Sequence, residues 1–159
     1  MRFFVGLFDT NLMIDSNFMD IALEEARLAL KEGEVPVGAV LVKDGKVIAK
    51  GHNTRERDND ISGHAEIVTL KKAAKELGTW VMTGCALYVT LEPCLMCAGA
   101  IIQSRLTTLV YGASDPEFGA VTSKNHVFDD AKNVLVYPDE KEGECKALLD
   151  SFFAKKRRK

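Results

Sequence analysis

Leu87-Tyr88-Val89-Thr90-Leu91-Glu92-Pro93-Cys94-Leu95-Met96-Cys97 passes from one kind of structure into another. Residues 87–91, aromatic and β-branched, read as a strand. Pro93 is tolerated at a helix start, where its missing N–H would be unpaired anyway, and the apolar run from Cys94 to Ile102 continues as a helix to about Arg105. Cys94 and Cys97 lie on one face of that helix, so both sulfurs can reach one ion. They sit at the positive end of the helix dipole, which favours thiolate over thiol. Upstream stands His64-Ala65-Glu66. One His and two Cys make a three-ligand zinc set with the fourth position open, as in catalytic rather than structural sites. Glu66 is then the natural general acid/base beside a zinc-bound water.

Cys-x-x-Cys alone has other readings. It also occurs as a redox pair, as half of a structural zinc site, or as two buried cysteines. A redox pair fits better after the first strand of a thioredoxin-like pattern, and here most of the chain precedes it. A structural site needs a fourth Cys or His, but Cys85 and Cys145 fall in a strand approach and a late helix, not in ligand-like pairs.

The length of 159 residues suits one domain with one good core, and 47% hydrophobic with 28% charged residues is ordinary for a soluble globular protein. Four cysteines are no disulfide scaffold, which predicts a reducing, cytoplasmic setting. The apolar opening Met1–Phe8 is too short to span a bilayer and lacks a small-residue cleavage site. Residues 1–15 are therefore expected to be an unstructured extension, with Met13 as an alternative start, and 16–159 a single zinc-dependent domain. The tail Lys155-Lys156-Arg157-Arg158-Lys159 carries five of the 21 basic residues, while all 23 acidic residues precede it. A basic tail on an acidic body serves solubility, or else meets a phosphate backbone.

Taken in order, residues 16–32 predict an amphipathic helix capped by Asp15 or Ser16, with Met19, Ala22, Leu23, Ala26 and Leu30 inward and Gly33 ending it. Strand 37–42 turns at Asp44-Gly45 and returns at 47–49 as a hairpin. Residues 54–62 read as a polar loop and His64–Leu77 as a second helix. After the 87–91 strand and the cysteine helix come a strand at 107–111, an unclear stretch at 112–132, a strand at 133–137 and a last helix from about Glu142 to Lys156, with Cys145, Ala147, Leu148 and Phe152 inward. Strand–helix–strand alternation after a hairpin predicts an α/β fold: a three-layer α/β/α sandwich with a mixed five-stranded sheet. Both metal motifs fall at helix starts, which converge at the carboxyl ends of strands in such sheets.

His-x-Glu followed by Pro-Cys-x-x-Cys is the signature of zinc nucleobase deaminases. Together with Glu34-Val35-Pro36-Val37-Gly38-Ala39-Val40, Gly51-His52-Asn53, Leu87–Ala100, Ser104-Arg105 and Tyr111-Gly112-Ala113, it makes the chain closely resemble the bacterial tRNA-specific adenosine deaminase family. The resemblance implies a cytidine-deaminase-like fold, a homodimer, one Zn2+ per subunit, and conversion of the wobble adenosine of an arginine tRNA to inosine within its anticodon stem-loop. Neither DNA nor membrane is expected as a partner. Carried over by motif, His64, Cys94 and Cys97 hold zinc and Glu66 shuttles protons. Asn53, with a neutral amide that both donates and accepts, hydrogen-bonds the flipped adenine; a turn residue is its plainer reading. Val37, Ala65 and Leu91 wall the pocket or simply pack the core. Asp115 meets an RNA ribose or caps a turn. Phe153 lies near the anticodon loop or packs inward, and Arg105, Lys155, Lys156, Arg157 and Arg158 face the RNA backbone.

One segment departs from that pattern. Where the family usually has lysine then threonine, Glu117-Phe118 stands, and the segment after it is shorter. An acid beside an RNA backbone is unfavourable, so the departure bears on the tRNA substrate and leaves the zinc chemistry alone. The rival enzyme is a free-base or nucleoside deaminase acting on cytosine, guanine or a related ring. A zinc-stabilised nucleic-acid-binding domain without turnover would have no use for Glu66 beside an open metal position.

Overall fold

Asp15 caps the first helix, its side chain accepting the Asn17 N–H at 2.9 Å, and α1 runs Ser16–Lys31. The computed structural model describes residues 14–158. Most of the expected 1–15 extension therefore lies outside the described residues, as does Lys159. Its last two residues are not loose: Ile14 packs on the core and the Asp15 N–H donates to Tyr88 Oη at 3.0 Å. The inward face of α1 is Met19, Ala22, Leu23, Ala26 and Ala29, with Leu30 half-buried.

Asp44 and Gly45 both take positive φ, 51° and 73°, the geometry a tight hairpin turn demands. They join β1 (Gly38–Lys43) to β2 (Lys46–His52). The register slips between Leu41 and Val42, so Ile48 is an extra residue on β2. A one-turn helix, α2 (Arg55–Asp58), then interrupts what reads in the sequence as plain loop. The reason is Glu34, buried before β1, whose carboxylate accepts the N–H groups of Glu56 (2.6 and 3.0 Å) and Arg57 (3.3 Å). Helix-start N–H groups lack partners of their own, and an anion there satisfies them.

α3 spans Ala65–Leu77, β3 Cys85–Leu91, α4 Leu95–Ser104, β4 Thr108–Ala113, β5 Leu135–Tyr137 and α5 Glu142–Arg157. The sheet order is β2-β1-β3-β4-β5; β1 is antiparallel to both neighbours, while β3, β4 and β5 are parallel. This is the expected mixed five-stranded sandwich. The face carrying Val40, Tyr88 and Val110 takes α1 and α5, and the face carrying Ala39 and Leu87 takes α3, with α4 beside it. Gly38 allows the close approach of α1: a Cβ there would collide with the Ala22 carbonyl oxygen and lie 2.5 Å from the Ala26 nitrogen.

The stretch left unclear in the sequence is now defined: residues 114–134 contain turns but no helix or strand. One expectation changes. In α5 the buried residues are Cys145, Leu149 and Phe152, whereas Ala147 faces solvent. The basic run is not a loose tail either, since Lys155–Arg157 form the last turn of α5. Phe152 is buried there with Lys156 Nζ 5.3 Å above its ring, and cations at a helix C-terminus are favourable. No helix among the described residues is long and apolar enough to cross a membrane.

Candidate active site

Three segments reach the same end of the sheet. The register pairs Gly38 with His52 and Ala39 with Val89, so Val37 before β1, Asn53 after β2 and Leu91 closing β3 share one edge. Asn53 ties this edge together: its N–H donates to the Val37 carbonyl at 3.2 Å, and its Oδ1 accepts the Ala65 N–H at 2.8 Å. That second bond satisfies a free N–H at the start of α3. His64 is the N-cap of α3 and Cys94 the N-cap of α4, so both motifs open a helix at this edge.

His64 Nδ1 lies 3.6 Å from Cys94 Sγ and 3.5 Å from Cys97 Sγ, and the three ligand atoms all fall within 4.8 Å of one another. Among the described residues this is the only such group. Two soft sulfurs and one imidazole nitrogen, converging on one point from two helix starts, fit a zinc ion with a fourth position left over. Without metal the two thiols act as a pair. The hydrogen bond from Cys97, assisted by His64, brings the Cys94 thiol down to about 4. Cys97, as the donor and with burial added, is pushed far up. The hydrogen bond to Cys94 raises His64 above its ordinary value. Glu66 is buried in the first turn of α3, and burial raises its carboxyl. A raised carboxyl next to the sulfurs holds and returns protons more readily than an ordinary one, as a general acid/base must.

Val37 and Ala65 are buried and Leu91 is half-buried against the core, so all three also serve as packing. Asp115 caps a turn, its Oδ1 accepting the N–H groups of Glu117 and Phe118, each at 3.1 Å. Arg105 ends α4, the opposite end from Cys94, with its guanidinium 5.3 Å from the centre of the Trp80 ring. Phe153 is half-exposed, packed edge-on against Phe152 at 5.3 Å.

Sequence reasoning missed Glu92. It is buried, and its carboxylate accepts the N–H groups of Asp115, Val121, Thr122 and Ser123 at 2.9–3.1 Å, as well as the Ser123 hydroxyl. Burial raises its carboxyl, but these hydrogen bonds together hold it below the ordinary value. The available signal was an acid placed directly between an apolar strand and a proline.

Residues 13–157 match the family model of MafB19-like deaminases. The tRNA-specific adenosine deaminase of Bacillus subtilis is 42% identical over 148 residues, covering 91% of this chain and 92% of that protein. The chain belongs to the tRNA-specific adenosine deaminase family. A solved structure from studies of A-to-I editing by tRNA:A34 deaminases at the wobble position of transfer RNA is 45% identical, with a TM-score of 0.82 over 85% of this chain and all of that one. Deaminases with other substrates share the fold: guanine deaminase from Nitrosomonas europaea is 25% identical with a TM-score of 0.80, over 89% of this chain and 86% of that one.

Proposed function

We propose that this chain hydrolyses the wobble adenosine of an arginine tRNA to inosine and ammonia, using one zinc ion held by His64, Cys94 and Cys97. The observation that carries the reading is the convergence of those three ligand atoms beside the buried carboxyl of Glu66. When bound, zinc supplies Lewis acidity toward water, lowering its pKa from about 16 toward about 7. Glu66 takes a proton from the attacking water, then delivers protons to the adenine ring nitrogen and to the amino group leaving C6. Asn53 offers its amide N–H to the flipped base, one lone pair of its oxygen being engaged by Ala65. Val37, Ala65 and Leu91 wall the pocket. Asp115 offers a carboxylate oxygen to a ribose 2′-hydroxyl, which DNA lacks. A base in an anticodon loop costs less to flip out than one in a duplex.

The test is incubation with an arginine tRNA anticodon stem-loop and, separately, with adenosine, guanine and cytosine, measuring inosine and ammonia. Inosine from the stem-loop is the expected result; turnover of a free base alone would support the rival. That rival, a free-base deaminase, is favoured by Glu117, which puts an acid on an exposed turn tied to the cysteine motif.

We further propose that the last turn of α5 and Phe153 face the RNA. Changing Lys155, Lys156, Arg157 and Arg158 together to glutamine should raise KM on the stem-loop and reduce the log–log salt slope by about 0.7 per lost phosphate contact. Turnover should stay within about twofold, as expected when an interaction is made equally in ground and transition states. A salt slope identical to the parent's would exclude phosphate contacts there.

A homodimer is proposed through α4. Cys97, Ala98 and Ile101 are buried, while Leu95 (56% exposed), Met96 and Ile102 face out, and around Gly99 the space is open. A helix apolar on both faces needs a second partner. Sedimentation at micromolar concentration should give twice the 17.5 kDa chain mass, and Ile102→Glu should shift it toward one. Monomer alone in the parent would reject the interface.

A further inference from the structure

Phe118 is 61% exposed, and among the described residues no other ring and no cation stacks on it. The other exposed aromatics have company, Trp80 under Arg105 and Phe153 against Phe152. The backbone that carries this ring is held in place by hydrogen bonds. The Phe118 and Glu117 N–H groups bond Asp115 Oδ1, and the Gly119 N–H bonds the Asp115 carbonyl at 2.8 Å. Ala120 N–H bonds the Pro93 carbonyl at 2.9 Å, and the buried Glu92 carboxylate gathers four further N–H groups of the same segment. Gly119 is required by this packing, since a Cβ there would lie 2.5 Å from Glu92 Oε2. The turn is thus fastened to the two residues that precede Cys94. Two residues of chain and one hydrogen bond leave the Phe118 Cα within about 10 Å of the Pro93 carbonyl.

We propose that Phe118 is a stacking platform for an unpaired base of the substrate loop, a reading that rests on the RNA function above. Charge favours the base over the backbone. Asp115 and Glu117 precede the ring within the turn, and the first cation after it is Lys124, whose N–H bonds the Gly119 carbonyl at 3.0 Å. The two acids disfavour a phosphate on their side of the ring. A base offers a flat π-face to the ring and amino or ribose hydroxyl donors to the neighbouring carboxylates. Preorganisation reduces the ordering cost, because the turn is already held in one shape. The family's lysine–threonine pair is absent at this place, and the aromatic supplies a contact of another kind.

The test compares the parent, Phe118→Ala and Phe118→Tyr on an anticodon stem-loop, on the same loop with a single abasic site at each position in turn, and on free adenosine. Phe118→Ala should raise KM on the intact stem-loop by about 5- to 150-fold, the equivalent of ~1–3 kcal/mol for a stacked base. The salt slope and adenosine turnover should not move, and Phe118→Tyr should restore most of the affinity. One abasic position should weaken the parent by a similar factor and weaken Phe118→Ala no further, a non-additivity that a merely structural role would not produce. KM within twofold of the parent, or an equal additional loss at every abasic position, would overturn the proposal. A change in sedimentation on Phe118→Ala would overturn it too, assigning the ring to a contact between copies. If the parent ignores the stem-loop but deaminates guanine, the RNA reading itself fails and this inference falls with it; if the parent edits the stem-loop and Phe118→Ala does so equally well, only the stacking role is lost.

Discussion

Glu66→Ala should retain its zinc and its affinity for the stem-loop, and lose turnover by at least about 10²–10⁴-fold, the range for removing a general acid/base. The loss should lie toward the upper end, because one carboxyl serves the water, the ring nitrogen and the leaving amino group. Glu66→Gln tests the same point more narrowly. It keeps size and burial but cannot accept a proton, so it should be as inactive as alanine while binding normally. The measurement is single-turnover kinetics with metal analysis on the same preparation. Activity within threefold of the parent would mean that another group moves the protons. Among the described residues the other buried carboxyls are engaged elsewhere, Glu92 by the 115–123 segment, Glu34 by α2 and Glu25 by His52.

Cys94→Ala should bind zinc far below stoichiometry and show only background deamination. The fold should survive, because the hydrophobic core is built from the sheet and from α1, α3, α4 and α5 and does not pass through the metal cluster. Far-UV circular dichroism of Cys94→Ala, or of the parent after chelation, should therefore stay close to that of the zinc-loaded protein. Full activity in Cys94→Ala would dispose of the metal site. The thiol pair adds a proton count. Cys94 already ionises at about 4 in the metal-free site, so it releases no proton when zinc binds at pH 7. Cys97, held far above its ordinary value, must release one, and His64, raised above its own, adds to the count. Calorimetry in buffers of different ionisation heat should give roughly one to two protons per zinc. Below neutral pH the count should rise as His64 becomes fully protonated, and zinc affinity should fall with it.

Much of this site was legible in the sequence because its parts are local. His64 with Glu66, and Cys94 with Cys97, are fixed by spacing at the start of one helix each, and helix starts have recognisable chemistry. The hairpin at Asp44-Gly45 and the strand–helix step at Pro93 are equally local. What escaped depends on contacts distant in sequence. Glu92 binds N–H groups 23 to 31 residues away, and Glu34 those of residues 22 and 23 positions on. No periodicity announces such a carboxylate, and the one-turn α2 exists because of one. Arg105 adjoins the cysteine helix in sequence but stands at its far end, beside Trp80, a placement that spacing along the chain does not reveal. In α5, choosing Leu149 over Ala147 is a matter of how the helix is rotated on the sheet, which the spacing alone leaves open.

The sheet's two borders restrict how copies of this chain can associate. β5 is only three residues long, and β2 carries Lys46, Lys50 and the extra residue Ile48. A short border strand and a charged, kinked one are poor templates for a further strand. Growth of the sheet from molecule to molecule, the route to fibrous aggregates, is obstructed on both sides. Self-association of this chain is thereby channelled to its helices, and a purified sample is expected to form closed, finite assemblies instead of open-ended ones.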